Sequence, residues 1–396
     1  MRLCLTGGWF SSDNVGDHAI LTGLSDAMGR HPDAELSVIT AGPDKVRERF
    51  GLDAYAPKRT PLGLLRNLMR SDALVYTGGT PLYDAAPHMT YYASLAVLAH
   101  ARGIPVAVFG ISLRSLDSGI CRWMARRIAR RASILGGREA RTVERLEALA
   151  PGTGTACLVP DAAFGMTPSP PSTARTLLAD AGVDPDARRV AICMRDFRSE
   201  RKFQAHHYSS AFDGPARERY ADVMRRIAEH LVRRHDADVV FCPMHTVAPD
   251  DDRRIMREVR EAIADESVRN RCTLLESQLG PREMQAILGS MYATIGVRFH
   301  STVLSAAMGV PCLAVGYAPK NRAIMEQLGL GEYVFDLSDL RFEPVVERLD
   351  DLLANRSGIA DTLRTECGEL RHRFHAACDR LAALASDHSR RSRKRA

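Results

Sequence analysis

Apolar runs of strand length alternate with amphipathic stretches of helix length along this chain. In the first part the runs are RLCLTG, ELSVITA, ALVYTGG, PVAVFGISL and SILGG, separated by helical segments up to residue 150. The alternation breaks at residues 165–176, GMTPSPPSTART, where Pro, Ser and Thr predict a linker. It resumes with RRVAICMR, ADVVFCPM, CTLLES, YATIGVR and PCLAVGY, again spaced by helices. Strands alternating with helices argue for parallel sheets wrapped by helices. The pattern therefore predicts an α/β fold of two doubly wound domains facing each other across a cleft, with ligands beyond the carboxyl ends of the strands. The expected boundaries are 1–165 for an N-terminal domain, 166–185 for the linker and 186–356 for a C-terminal domain. Residues 357–396 would form a closing helix, patterned from about Ser357 to Asp387, and a basic tail.

Length agrees with that division, because 396 residues exceed one ordinary core and suit two domains of about 150 to 200 residues. A content of 45% hydrophobic and 26% charged residues is that of a globular protein, and no apolar run is long enough for a membrane span. The opening MRLCLTGGWF reaches glycine too early for a signal peptide, so a cytoplasmic protein is expected. Nine cysteines without a C-x-x-C pair, several inside strand-like runs, predict buried reduced thiols and neither a disulfide frame nor a zinc site. The net charge of +6 is concentrated in RWMARRIARR, residues 122–131, and in the last nine residues, HSRRSRKRA. The tail reads first as a solvated disordered end; its sharper reading is peripheral contact with an anionic membrane or polyanion. Basic and aromatic residues are not interleaved as in a nucleic-acid binder, so no nucleic-acid partner is expected.

Candidate chemistry gathers at the predicted strand ends. The first strand runs into TGGWFSSDNVGDHAIL, where Gly7 and Gly8 permit a tight turn and Asp13, Asn14, Gly16 and Asp17 precede a helix expected to begin near His18. One aspartate suffices as a helix cap; two with an asparagine suggest hydrogen bonding to a polyhydroxylated ligand. The third run ends in Gly78, Gly79 and Thr80 with Asp84 beyond, and its glycine turn should meet the first at one edge of the sheet. Neither loop is a dinucleotide or Walker fingerprint. In the second half, Arg195, Asp196 and Arg198 follow one strand, and His245 with Asp250, Asp251 and Asp252 follows another. VRFHSTVLSAAMGVPCLAVGYAPK then sets Arg298 and His300 at its entrance and Lys320 at its exit. Arg195, Arg298 and Lys320 converging at strand ends, beside a helix N-terminus, describe an anion pocket. His206 and His207 lack the partners of a metal site, and no metal is expected.

The strings G-x5-N-x-G-D-x-A-I-L at residues 8–21, GG-x4-D at 78–84, and R-F-H-S-x4-A-A-x-G-V-P followed by Y-A-P-K resemble the polysaccharide pyruvyl transferase family. The resemblance covers most of the chain, to about Leu330. It implies two Rossmann-like domains in a GT-B-like arrangement. It also implies transfer of the enolpyruvyl unit of phosphoenolpyruvate to a sugar-containing acceptor, usually as a pyruvate ketal. Carried over residue by residue, Arg298, His300 and Lys320 become donor-site residues, and Arg138 in GGREARTVERL a further donor arginine from the N-terminal domain. Gly8, Asp13, Asn14, Asp17, Gly79, Asp84 and His245 fall on the acceptor side. Thr80, where many members have a third glycine, and GISLRSL at 110–116 depart from the family pattern and put the identity of the sugar in doubt.

The chemistry fits the residues independently. Phosphoenolpyruvate carries a phosphate and a carboxylate and needs several fixed cations: Arg298, Lys320 and Arg195. Protonating its methylene carbon requires a group that titrates near neutrality, for which His300 is the candidate catalytic residue. No cofactor is needed beyond phosphoenolpyruvate as co-substrate. The rival reading is a GT-B glycosyltransferase using a nucleotide-sugar, against which stands the absence of Asp and Glu from residues 298–320. A second rival, a non-catalytic glycan-binding member, predicts loss of the Arg, His and Lys set, and all are present.

Overall fold

In a computed structural model of the full chain, described here for residues 1–184, 186–197 and 214–393, the polypeptide forms two compact units. The first comprises Met1–Ser12, Ala19–Met166 and Leu370–Ala396; the second, Asp13–His18 and Thr167–Glu369. Two segments therefore depart from chain order. The Asp13–His18 segment belongs with the second unit, and the C-terminal segment returns to the first.

The first unit is built on seven parallel strands: β1 (Arg2–Thr6), β2 (Glu35–Ile39), β3 (Asp53–Tyr55), β4 (Ala73–Thr77), β5 (Val106–Ile111), β6 (Ala132–Gly137) and β7 (Ala156–Leu158). Their order, 3-2-1-4-5-6-7, reverses direction between β1 and β4, the switch point of a doubly wound sheet. Strands β1, β4 and β5 are apolar on both sides because helices cover both faces. Leu64, Leu68, Met89, Met124 and Ile128 pack on one face. On the other, Leu24 and Val46 meet Phe374, Cys378 and Leu381 from the C-terminal helix Arg356–Arg393. That helix continues into HSRRSR, so residues 388–393, expected to be disordered, are helical.

Among the described residues the second unit holds six parallel strands: β8 (Arg189–Cys193), β9 (Asp238–Phe241), β10 (Cys272–Leu274), β11 (Ala293–Gly296), β12 (Cys312–Gly316) and β13 (Val334–Asp336). Their order is 10-9-8-11-12-13, with the switch point between β8 and β11. Tyr220, Met224, Ile227 and Leu231 form the buried stripe of helix Gly214–His235. The expected linker is largely folded: Pro171, at a position that suits its missing N–H, opens helix Pro171–Asp180, and Ser169 donates its N–H to the Arg282 carbonyl at 3.1 Å. All nine cysteines are unbonded. Among the described residues no helix is long and apolar enough to cross a membrane.

Candidate active site

At the carboxyl edge of the first sheet, β1 and β4 pair side by side and end in glycine turns that touch. Gly78 has φ of 87°, and a Cβ there would lie 2.8 Å from the Cα of Gly8. Glycine is needed for both the backbone conformation and the approach. Gly8 and Gly79 thus share one edge, as their sequence context predicts. Asp84 is exposed, and its carboxylate accepts the N–H groups of Asp117 and Ser118 at 2.6 and 3.3 Å. It fastens the turn ahead of helix Gly119–Ala129. Arg138 is buried within this unit, donating from Nε to Ser112 Oγ (2.6 Å) and from Nη1 to Asp161 Oδ2 (2.7 Å). Glu139 Oε2 lies 3.3 Å from the same guanidinium.

The carboxyl edge of the second sheet has a different character. Arg195 follows β8 and Arg298 follows β11, so both flank the switch point. Arg298 is gripped by Asp252, which is fully buried: Nε donates to Oδ2 at 2.9 Å and Nη2 to Oδ1 at 2.6 Å. The N–H groups of Asp196 and Met244 donate to the same carboxylate, each at 3.3 Å. Burial raises the Asp252 carboxyl above its ordinary value, while Arg298 and Arg195 pull it down. This grip leaves Nη1 of Arg298 with no acceptor among the described residues. Arg298 therefore keeps one donor edge for a ligand in a fixed orientation.

Arg195 and Lys320 are collected by aromatic rings. The guanidinium of Arg195 lies 4.9 Å from the Tyr317 ring centre and 5.3 Å from that of Phe197. Lys320 Nζ lies 5.2 Å from the Phe299 ring and 6.0 Å from Tyr317. Tyr220 supports the group by accepting the Arg195 backbone N–H at 3.2 Å. Such ring contacts favour a cation over each ring face.

Two histidines complete this edge, and the Asp13–His18 segment positions both. Helix Val15–Met28 starts three residues before the expected His18, because Asn14 already acts as a cap: its Oδ1 accepts the Gly16 N–H at 2.8 Å. The N–H of Val15 donates to the Met244 carbonyl at 2.9 Å, and Asn14 bridges to His245. Gly16 lies flat against His300, where any Cβ would overlap the imidazole. Asp13 is buried; Asp17 is in the first turn of the helix. The segment expected on the acceptor side of the N-terminal domain is thus part of the second unit.

His245, also expected on the acceptor side, sits in the field of the second unit's cations. Burial first, then Arg298, pushes its imidazole down to about 4, against the opposite pull of Asp250 and Asp13. It is therefore neutral at pH 7. Its Nδ1 accepts the Val247 N–H at 3.4 Å, which puts the ring proton on Nε2.

Asp252 and Tyr317 are the residues that sequence reasoning passed over. Asp252 is the last of three consecutive aspartates, and nothing local distinguishes it from Asp250 or Asp251; only its burial beside Arg298 does. Arg198, His206 and His207 lie outside the described residues. Elsewhere in the second unit, His230, His235 and Asp350 bring ligand atoms within 4.8 Å of one another. Both Nε2 atoms lie 2.7 Å from Asp350 Oδ1, so hydrogen bonding alone accounts for this clasp between two helices.

Two doubly wound parallel sheets, the second edged with cations and histidines, define an α/β protein of the GT-B-like class. Similar solved structures include the UDP-N-acetylglucosamine 2-epimerase of Neisseria meningitidis bound to UDP-GlcNAc, at TM-score 0.60 and 9% identity over 98% of this chain and 100% of that one. Anabaena Alr3699/HepE in complex with UDP-glucose matches at TM-score 0.60 and 11% identity, over 98% and 99%. At such identities the likeness is one of fold. The chain belongs to the polysaccharide pyruvyl transferase family, whose model matches residues 14–319. A 73-residue stretch is also 33% identical to the amylovoran biosynthesis protein AmsJ of Erwinia amylovora, spanning 18% of each chain.

Proposed function

We propose that this protein transfers the pyruvyl unit of phosphoenolpyruvate to hydroxyls of a sugar-containing acceptor, releasing phosphate and forming a ketal. The observation that carries the proposal is the set Arg195, Arg298 and Lys320 at one sheet edge. Rings hold two of these cations and a buried carboxylate orients the third. A donor with both phosphate and carboxylate suits that set.

In this reading His300 delivers a proton to the methylene carbon, and positive charge develops at the adjacent carbon. An acceptor oxygen bonds there and gives its proton to the now neutral His300. The carbon–oxygen bond to phosphate then breaks, and a second hydroxyl closes the ketal, its proton leaving with the phosphate. The net change is phosphoenolpyruvate plus diol to ketal plus inorganic phosphate, with no cofactor. Arg298 and Arg195 hold the leaving phosphate. Neutral His245 donates a hydrogen bond from Nε2 without adding charge. The acceptor is assigned to the glycine turns at Gly8 and Gly79; the side-chain direction of Gly79 is open, with nothing within 4 Å of an added Cβ. The nine unbonded cysteines support a reducing, cytoplasmic setting.

The test is phosphate release from phosphoenolpyruvate with a panel of sugar acceptors. His300→Ala should lower the rate about 10²- to 10⁴-fold with the thermal midpoint unchanged. Undiminished release removes His300 from the mechanism. Binding of a nucleotide-sugar without binding of phosphoenolpyruvate moves the assignment to glycosyl transfer.

A further inference from the structure

Helix Gly119–Ala129 of the first unit has one buried and one outward half. Cys121, Met124, Ala125 and Ile128 pack into the core. The outward half carries Ile120 and Trp123, 52% and 51% exposed, among arginines, and no acidic residue occurs from Gly119 to Arg131. Five arginines fall between residues 122 and 131, and none forms an ion pair among the described residues. Arg122 donates to the carbonyls of Leu116 and Asp117, Arg131 to that of Arg127, and Arg127 stacks 4.8 Å from the Trp123 ring. Elsewhere arginines are matched to carboxylates, as Arg225 is to Asp222 and Glu229, or Arg257 to Glu276. Helix Pro61–Met69 buries Leu64 and Leu68 in the same core layer and turns Leu62, 80% exposed, and Leu65 outward beside Arg66.

We propose that this face of the first unit binds an anionic membrane surface. The indole of Trp123 and the side chain of Ile120 enter the interfacial region, and the unpaired arginines associate with lipid phosphates. The combination decides the occupant: fixed positive charge draws the protein to anionic lipid, and apolar side chains between the charges gain contact only if the surface admits them. The exposed tryptophan sits at the depth such residues favour, with its ring apolar and its N–H toward headgroups. Membrane contact is thereby assigned to this helix and not to the basic C-terminus. Ile120 and Trp123 occupy the first turns of the helix, after the segment that Asp84 fastens near the glycine turns. An acceptor anchored in that membrane would be presented to those turns; this last step alone rests on the pyruvyl-transfer reading.

The experiment is co-sedimentation of the full chain with phosphatidylcholine vesicles, with and without phosphatidylglycerol, which needs no turnover. Binding is expected only to the anionic vesicles and should weaken with salt. Replacing Arg126→Gln together with Arg130→Gln should weaken it about 30-fold, taking each arginine's contribution as independent. Ile120→Ser with Trp123→Ser should weaken it about 10-fold or more. Removing residues 388–396 should change it less than twofold. All four substituted side chains point outward, and circular dichroism with thermal unfolding verifies the fold. Vesicle binding that survives both pairs of substitutions, or that disappears only when the C-terminus is removed, overturns the proposal. So does equal affinity for duplex DNA that is indifferent to Trp123.

Discussion

At the switch point of the first sheet, β1 and β4 end in glycines; at that of the second, β8 and β11 lead into arginines. Each unit also has a buried arginine held by a buried aspartate, Arg138 by Asp161 and Arg298 by Asp252. The surroundings separate them. Arg138 lies between two carboxylates, Asp161 and Glu139, and its Nε is engaged by Ser112. Arg298 has one carboxylate, keeps Nη1 available and shares its edge with two cations seated on rings. A buried arginine is thus not in itself a binding residue. The number of carboxylates already facing it determines how much of its charge remains for a ligand.

The strongest test of this contrast is to remove each partner in turn. Asp252→Asn should lower unfolding stability by about 3–5 kcal/mol, since it leaves a buried guanidinium without its counter-charge, and Asp161→Asn should lower it less, since Glu139 still faces Arg138. Urea titration measures that loss. Affinity of the folded protein for phosphoenolpyruvate should separate them, falling about 30-fold or more for Asp252→Asn and less than twofold for Asp161→Asn. An equal loss in both would break the comparison and support Arg138 as the donor-site residue that the family resemblance implies.

The cationic edge was legible because its residues are local to strand ends. An apolar run followed at once by Arg195, Arg298 or Lys320 shows both the strand and the place where its side chains emerge. Long-range neighbours were not legible. Asn14, Val15 and Gly16 follow β1 closely in sequence, yet their partners, His245, Met244 and His300, lie more than 200 residues on. The returning helix is similar: its periodicity predicts a helix, but nothing in it says that Phe374 and Leu381 pack on the first sheet. The three strands missed, β3, β7 and β13, are three-residue edge strands whose apolar content is too slight to form a pattern.

Glycines sharpen the same contrast with smaller effects. Gly16 has no left-handed backbone, so alanine there strains His300 and not the chain. Gly16→Ala should lower phosphate release about 10- to 100-fold at little cost in stability, as expected when a catalytic group moves by an ångström or so. Gly79 is the reverse: φ is 56° and an added Cβ meets nothing within 4 Å. Gly79→Ala should cost about 1–2 kcal/mol of stability through backbone strain alone. Paired urea and rate measurements on the two variants would show the effects exchanged if the edges had been assigned the wrong way round.

The last expected effect is the pH dependence contributed by His245. Its imidazole ordinarily titrates at 6.5 and is held at about 4 by burial and by Arg298. Between those values the unfolded chain binds a proton that the folded one refuses, so stability from this group is complete above pH 6.5. It is lost as pH falls through the folded value. Allowing for partial exposure, the contribution is on the order of 2 kcal/mol. Comparing unfolding free energies of the unsubstituted protein and His245→Gln at pH 7 and 4.5 isolates it from the carboxylates that titrate over the same range. Saturating phosphoenolpyruvate should shrink the difference, because an anion between Arg195 and Arg298 offsets the charge that depresses the imidazole. By the same linkage, binding of the donor below pH 6 should take up protons, readable by calorimetry in buffers of different ionisation heat. A slope unaltered by the ligand would place the anion away from these arginines and dissolve the contrast between the two edges.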